Sequence, residues 1–509
     1  MKNSYLIHII QKTLSLENVL PDRKDILKVL FSSPTFPSLA AVSQTLSYFG
    51  LHNNAFITDL NHLFKLKNVI IHSIKEEGHF YILTEIDDHS VKLYDGKEKR
   101  MSIEDFTAIW DGVVLQVEDK ENINIKQSTN LLFFCGLGFL LYLLLYFCFT
   151  ISIQSTILLL FDSIGFTLSA LLLREHFRRY EKISFCQIGE KVDCNYVADR
   201  NPLQKWLPID LAAIGIFFFL FNIFSLLIVG TSHFILGYIT ICAAFFTMLL
   251  SAYQIFKIKK YCLYCLSIAI VMIAKLCFSD FSFNINSINL LPKFIIAAII
   301  TSSLTYLIYK KMENDKALLD NDINILKIKR NPQIIKQYFA QPHCSLPNIE
   351  ILEFGNKHAD VVITTFISLH CRHCQKVVSE IILLIEKFPN RFLWRFTIQA
   401  INNKGMSDKE FALLNARQLH LLELYRNNKK RCLESMRLWD FKIADKSSDE
   451  LIAKYRLQQQ SIEDLKIKHY PIIWVNDVIL PQEYKIADLQ YIHQELIQLK
   501  ICAKSKIIE

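Results

Sequence analysis

Between Leu131 and Tyr309 the sequence carries a series of apolar runs, each near the about 20 residues that a helix needs to cross a hydrocarbon core of roughly 30 Å. Nothing else in the chain restricts its fold so strongly. Inside a bilayer the backbone must satisfy its own hydrogen bonds, so such runs become helices packed as a bundle. Six are read, near 131–150, 155–173, 209–229, 233–256, 261–278 and 290–309, the fifth being short and carrying Lys275. Composition agrees, with 51% hydrophobic residues, 37 Phe and a mean hydropathy of +0.24.

The flanks read as water-soluble. Residues 1–120 alternate short apolar and polar stretches and close with strand-like segments His79–Ile86 and Ser90–Tyr94 around Asp87-Asp88, which predicts a small α+β domain. After Lys310-Lys311 a charged stretch over 311–346 reads as a linker. Residues 347–509 then follow strand, helix, strand, a long helical stretch from about 406 to 460, strand and helix. The expected boundaries are therefore 1–120, 130–310, 311–346 and 347–509. Met1–Leu20 lacks the basic start, apolar run and small-residue cleavage site of a removable signal peptide. The net charge is +8, yet Arg174, Arg178, Arg179, Lys257, Lys259 and Lys260 border apolar runs, so no nucleic-acid partner is expected.

Thirteen cysteines are unusual for a chain in a reducing compartment without metal or redox chemistry. Three pairs stand out. Cys186 and Cys194 lie in the polar loop between the second and third runs, and Cys262-Leu263-Tyr264-Cys265 stands at the mouth of the fifth. Cys371-Arg372-His373-Cys374 sits at the strand-to-helix turn of the C-terminal domain, where a helix N-terminus favours the negative charge of a nucleophilic thiolate. Two runs separate the loop pair from the 262/265 pair, and two more separate that pair from the C-terminal domain. All three pairs then face one side of the membrane, which thiol–disulfide exchange by direct sulfur contact requires. A four-thiolate zinc site from 262/265 and 371/374 is the alternative that the spacing leaves open, although no metal is expected. Cys135, Cys148, Cys242, Cys277, Cys344, Cys432 and Cys502 read as small apolar fillers or incidental thiols.

Residues of about 153–310 resemble the vitamin K epoxide reductase family of membrane quinone reductases, in which a loop cysteine pair precedes a membrane CxxC. Cys186-x7-Cys194 and Cys262-x2-Cys265 carry the match. The resemblance implies that Cys265 faces a quinone, that Cys262 exchanges with the loop pair through Cys194, and that Cys186 meets a thioredoxin-like partner. A Ser frequent in the family beyond the second loop cysteine has no counterpart in Asn195-Tyr196-Val197-Ala198-Asp199-Arg200. Tyr261 and Tyr264 read either as walls of the ring site or as interfacial aromatics.

Residues of about 347–505 resemble a thioredoxin-fold domain of the disulfide-exchange type. Val361–Leu369 is the strand, Cys371-x2-Cys374 opens the helix, and Tyr470-Pro471 precedes the strand Ile472–Val475. The resemblance implies that Pro471 is cis and packs against the active-site sulfurs, and that the segment 406–460 is the helical insertion of bacterial disulfide oxidases. Residues 1 to about 118 resemble more faintly the C39 family of papain-like peptidases. Gly78-His79-Phe80 and Tyr94-Asp95-Gly96 look like its His and Asp parts, but Phe36-Pro37-Ser38-Leu39-Ala40 has no cysteine where the nucleophile belongs. A serine hydroxyl does not replace it without its own base and oxyanion hole. The domain is read as a non-catalytic binder of peptides, a leader peptide being its expected ligand.

The expected fold is thus multidomain: an α-helical membrane bundle, with a four-helix core of the vitamin K epoxide reductase type plus extra spans, between an α+β papain-like domain and an α/β thioredoxin fold. The expected function is a thiol oxidase of a bacterial inner membrane that forms disulfides in exported proteins or peptides. Electrons would pass from Cys371/Cys374 to Cys186/Cys194, then Cys262/Cys265, then a quinone of the ubiquinone or menaquinone type. A reductase or isomerase running the other way, and a peptide-binding export accessory, are the alternatives. Disulfide formation places the thioredoxin-like domain in the periplasm. Charge alone points the other way, because the turns 151–154, 230–232 and 279–289 that would then be cytoplasmic hold no Lys or Arg.

Overall fold

The structure, a computed structural model, describes residues 5–66, 68–74, 78–121, 123–124, 153–177, 192, 194, 197, 210–229, 234–279, 281, 290–339, 352–399, 407–443, 449–464 and 470–508. The chain divides into two compact units, residues 1–7 with 128–321, and residues 8–127 with 322–509.

The first unit is helical. Among the described residues four helices are long and apolar enough to span: α6 (Ile153–Phe177), α7 (Leu211–Val229), α8 (Phe234–Tyr253), which runs on through a π-helical turn Gln254–Ile258, and α10 (Leu291–Lys329). The fifth apolar run forms the shorter α9 (Leu263–Leu276), whose 14 residues rise only about 21 Å. The run near 131–150 lies outside the described residues, so five of the six expected runs are seen as helices. α6 packs on α7 and on α9, and α8 on α9. Their shared core includes Leu172, Leu173, Ile216, Leu220, Cys194 and Cys262.

Much of the charged stretch read as a linker over 311–346 is helical. α10 continues unbroken to Lys329, and α11 (Pro332–Phe339) follows it. Charge marks where hydrocarbon ends, whereas a helix stops at a breaker, and the sequence offers no Gly or Pro from Met312 until Pro332. Lys310 and Glu313 pair at 2.7 Å on the exposed face as the helix leaves the apolar zone.

In the second unit the N-terminal part has helices α1 (Tyr5–Leu16), α2 (Arg23–Phe31) and α3 (Leu39–Tyr48) ahead of an antiparallel six-stranded sheet in the order β1-β6-β2-β3-β4-β5. These strands are β1 (Leu51–Ile57), β2 (Val69–Ser73), β3 (His79–Ile86), β4 (Ser90–Tyr94), β5 (Glu98–Ser102) and β6 (Trp110–Lys120), with the short helices α4 (Leu60–Leu63) and α5 (Ile103–Thr107) between them. The Asp87-Asp88 turn closes β3 onto β4 as the alternation predicts, with Asp87 N donating to Ser90 O at 2.9 Å. Val69, Ile71, Tyr81, Leu83, Val91, Leu93 and Phe106 form the core on one sheet face.

The C-terminal part is an α/β sheet in the order β11-β10-β8-β9-β7, from β7 (Leu352–Gly355), β8 (Val361–Ile367), β9 (Phe392–Ile398), β10 (Ile472–Val475) and β11 (Val478–Ile479). β8 and β9 run parallel and are joined by α12 (Arg372–Lys387); β10 returns antiparallel to β8. That order and sense are those of a thioredoxin fold. The long insertion is three helices, α13 (Asp408–Asn427), α14 (Lys429–Leu438) and α15 (Asp449–Asp464), the first begun by a capping box between Ser407 and Glu410. Gly355 is required where β7 meets β9, since its φ is +100° and a Cβ would stand 2.4 Å from Phe392 O.

The closing helix α16 (Leu489–Ile508) ties these parts together. Tyr491 stacks on Tyr48 with centroids 5.5 Å apart, Lys387 donates to the Tyr48 hydroxyl at 3.2 Å, and Arg391 pairs with Glu121 at 2.8 Å. Arg330, just past α10, is buried and donates to Val29 O at 2.7 Å and Ser32 Oγ at 2.9 Å.

Candidate active site

Two CxxC segments are built alike. In the thioredoxin-like domain Cys371 is the N-cap of α12 with φ −97° and ψ 113°, and its Sγ accepts a hydrogen bond from Cys374 N at 3.3 Å. In the membrane unit Cys262 is the N-cap of α9 with φ −102° and ψ 112°, and its Sγ accepts from Cys265 N at 3.4 Å. In both, the first helical amides point at the sulfur, where they favour the negative charge that a thiolate carries as it attacks or leaves.

Around the first pair, Cys371 Sγ also lies 3.7 Å from Tyr470 O, and the Tyr470–Pro471 peptide is cis, as the resemblance implies. Cys371 is partly exposed while Cys374 is fully buried. Burial pushes the Cys374 thiol up to about 12, the neighbouring Cys371 adding to that and a hydrogen bond from Ser368 N opposing it. Of the two sulfurs, that of Cys371 is the accessible one.

The second pair sits in a tighter setting. α8 ends in the π-helical turn and in Lys259, whose φ of 55° reverses the chain toward Tyr261. Tyr261 forms a parallel bridge with Val192, which draws the loop in beside Cys262. Cys194 is 2% exposed and Cys262 fully buried, and the Cys262 side chain is in hydrogen-bonding contact with both Cys194 and Cys265. Gln254, in the π-helical turn, accepts from Cys262 N at 3.3 Å and holds the cap. Three sulfurs thus stand in sequence, Cys194, Cys262, Cys265. Cys186 lies outside the described residues.

Cys265 is among the residues lining an open pocket between α6, α7, α8 and α9, almost wholly apolar, with Phe218, Phe219, Phe246 and Met272 in its walls. Such a lining suits a planar apolar ring. Tyr261 and Tyr264 are not among the residues that line it. Cys265, Ile268 and Met272 face the cavity at helical spacing, and Tyr264 is turned about 100° away from that stripe, packing on the bundle core instead. Among the described residues no group of three or more His, Cys, Asp or Glu could hold a metal ion.

One pair of residues escaped the sequence reading. Lys275 on α9 donates to Asp162 on α6 at 2.5 Å, the two side chains being 3% and 0% exposed. The signal was present, because a charge within an apolar run requires an opposite charge in another run, and Asp162 is the acid in the second. The ion pair anchors the short α9.

In the N-terminal domain His79 Nε2 and Asp95 Oδ2 stand 3.2 Å apart. Burial opposes the Asp95 charge, but hydrogen bonds from His79, Lys99 and Lys97 N outweigh it and hold the carboxyl down to about 2. Ser38 caps α3, its Oγ accepting from Ala41 N at 3.4 Å. His79 and Asp95 are thus paired, and the segment Phe36-Pro37-Ser38-Leu39-Ala40 opens α3 with Ser38 at its cap.

An apolar bundle with stacked thiols and a thioredoxin fold with a capped CxxC together define a membrane oxidoreductase acting on thiols and disulfides. Residues 156–279 match the vitamin K epoxide reductase family and residues 36–122 match the Peptidase C39 family, so the chain carries a domain of each. No curated protein matches the chain. Similar solved structures include a periplasmic thioredoxin-like protein from Salmonella enterica serovar Typhimurium, 16% identical, covering 33% of this chain and 98% of that one with a TM-score of 0.23. BdbD from Bacillus subtilis is 13% identical over 29% of this chain and 92% of that one, with a TM-score of 0.23. ScsC from Proteus mirabilis in a compact conformation is 17% identical over 39% and 97%, with a TM-score of 0.24.

Proposed function

We propose that the protein is a quinone-dependent thiol oxidase of a bacterial inner membrane, with its thioredoxin-like domain in the periplasm, forming disulfides in exported proteins or peptides. The observation that carries this reading is the row of Cys194, Cys262 and Cys265, the last of them lining the apolar pocket. A substrate thiolate attacks the Cys371–Cys374 disulfide at Cys371, and the second substrate thiol resolves the mixed disulfide. The domain is left with two thiols and the substrate with one disulfide. Cys371 and Cys374 are reoxidised by the Cys186–Cys194 disulfide, which is left as two thiols. Cys194 as thiolate then attacks the Cys262–Cys265 disulfide at Cys262 and frees Cys265, and Cys186 resolves the Cys194–Cys262 bond, so that the loop disulfide re-forms and Cys262 and Cys265 become thiols. Closing the Cys262–Cys265 disulfide again gives up two electrons and two protons, for which a quinone of ubiquinone or menaquinone type at Cys265 would supply the oxidising potential when bound. Apolar walls exclude water there, and the Gln254 contact to Cys262 N orients the attacked sulfur.

The N-terminal domain is proposed to hold an exported peptide, such as one with a leader, without cutting it. The paired His79 and Asp95 and the helix cap at Ser38 support a fold retained for binding.

The test is a stopped assay of quinone reduction by full-length protein in detergent, with a reduced dithiol peptide as donor. Parent protein is expected to reduce quinone in step with peptide disulfide formed, and Cys265→Ser to lower the rate at least about a thousandfold by removing the terminal thiol. Quinone reduction that persists in Cys265→Ser contradicts the relay. Electrons that flow from quinol to peptide disulfides under the same conditions establish the reductase alternative.

A further inference from the structure

Three hydroxyls line the cavity beside Cys265, and two of them are already committed. Thr247 Oγ1 donates to Ala244 O at 2.9 Å and Ser251 Oγ to Thr247 O at 2.8 Å, the usual refuge of a hydroxyl in an apolar helix. On α6 the same habit holds for Ser163, which donates to Leu159 O at 2.8 Å, and for Thr167, which donates to Ser163 O at 2.9 Å. Ser169, on the same helix, departs from it. Its residue is 0% exposed and its Oγ is buried with no hydrogen-bond partner, although the side chain is part of the cavity wall.

The neighbouring helix leaves room for that hydroxyl. Gly215 on α7 also lines the cavity, and a Cβ there would stand 2.6 Å from Ser169 Oγ. Any larger residue at 215 would push the hydroxyl aside. A buried hydroxyl without an acceptor is costly, and this one belongs to the wall of the pocket that Cys265 lines, where a ligand could supply the acceptor. The other strong polar group in the wall, the Gln254 amide oxygen, is engaged by Cys262 N. What the cavity lacks is an acceptor that has no proton of its own, in an otherwise apolar and planar body, and a ring carbonyl meets that description.

We propose that Ser169 donates a hydrogen bond to a ring carbonyl oxygen of the quinone and so sets its orientation toward Cys265, with Gly215 keeping the space for the hydroxyl. The inference rests on the quinone reading above. Ser169 is a positioning residue: no bond is made or broken at its oxygen, and the donated hydrogen bond polarises the carbonyl as electrons arrive.

The experiment binds a short-chain benzoquinone, carbon-13 labelled at its carbonyls, to full-length protein in detergent, in the parent, Ser169→Ala, Gly215→Ala and Ser225→Ala. Ser225 is a control of the same kind, a buried hydroxyl on α7 without a partner that is not in the cavity wall. Binding affinity and the infrared carbonyl stretch are read together. In the parent one carbonyl stretch is expected below its position in hydrocarbon. Ser169→Ala and Gly215→Ala are expected to weaken binding about tenfold and to return that stretch upward, with Ser225→Ala like the parent. A parent that binds the quinone while Ser169→Ala keeps both its affinity and its shifted stretch overturns the donor assignment and leaves the quinone reading standing. A parent that neither binds nor reduces the quinone overturns the quinone reading and this inference with it.

Discussion

Lys275 shows how a single residue can be read correctly and understood wrongly. A lysine in an apolar run counts against a span when the run is taken alone, yet its ammonium meets Asp162 on α6 and lies 5.3 Å from the Phe218 ring centroid. Burying one such charge alone costs far more than burying the pair. Lys275→Ala is therefore expected to destabilise the detergent-solubilised protein by about 3–5 kcal/mol, the loss measured when one partner of a buried pair is removed. Asp162→Leu combined with Lys275→Leu should recover most of it. Thermal unfolding of the three proteins decides the matter; equal losses in single and double variants would show that the pair does not act as a unit. The cysteine pairs were legible at this scale because a CxxC announces itself by spacing. Ser169 and Gln254 were not, because a serine or glutamine in an apolar run has no distinguishing spacing and acquires meaning only from the neighbouring helices.

Elements followed the sequence where a local rule governed them. The strands His79–Ile86 and Ser90–Tyr94 emerge within the ranges the alternation predicts, and the capped CxxC helices begin where the cysteines stand. The end of α10 did not follow, because hydropathy was asked to report a boundary that only helix breakers set. Backbone amides of about 313–328 are accordingly expected to exchange with solvent hydrogen slowly, as a continuous helix does. Hydrogen-exchange mass spectrometry of the full chain measures this directly, and exchange as fast as in an unstructured peptide would contradict a continuous helix there. The first apolar run, 131–150, lies outside the described residues, so the number of spans rests on the sequence there.

At the scale of the molecule, the thioredoxin-like and N-terminal parts share one unit through buried charge, a relation with no trace in local sequence. Arg391 meets Glu121, while His493 on α16 lies beside Arg391 with its Nε2 buried and unpartnered. Burial, then the Arg391 charge, hold the His493 pKa down to about 4 from 6.5. A base with a depressed folded pKa contributes stability that is complete above its unfolded value and is lost as pH falls through the folded one. Stability of this unit should thus decline between pH 6.5 and 4 by up to about 3 kcal/mol, and His493→Gln should flatten that part of the profile. Amide-exchange protection of β9 and α16 against pH reads the effect, and an unchanged profile in the variant would show that another group governs the acid limb.

In the proposed relay, electrons collected by Cys371 and Cys374 leave through Cys265. Thiol trapping of Cys371 and Cys374 in growing cells, in the parent and in Cys265→Ser, tests this route. The pair is predicted to be oxidised in the parent and reduced in Cys265→Ser. A pair reduced in both would contradict the oxidase and turn the relay around.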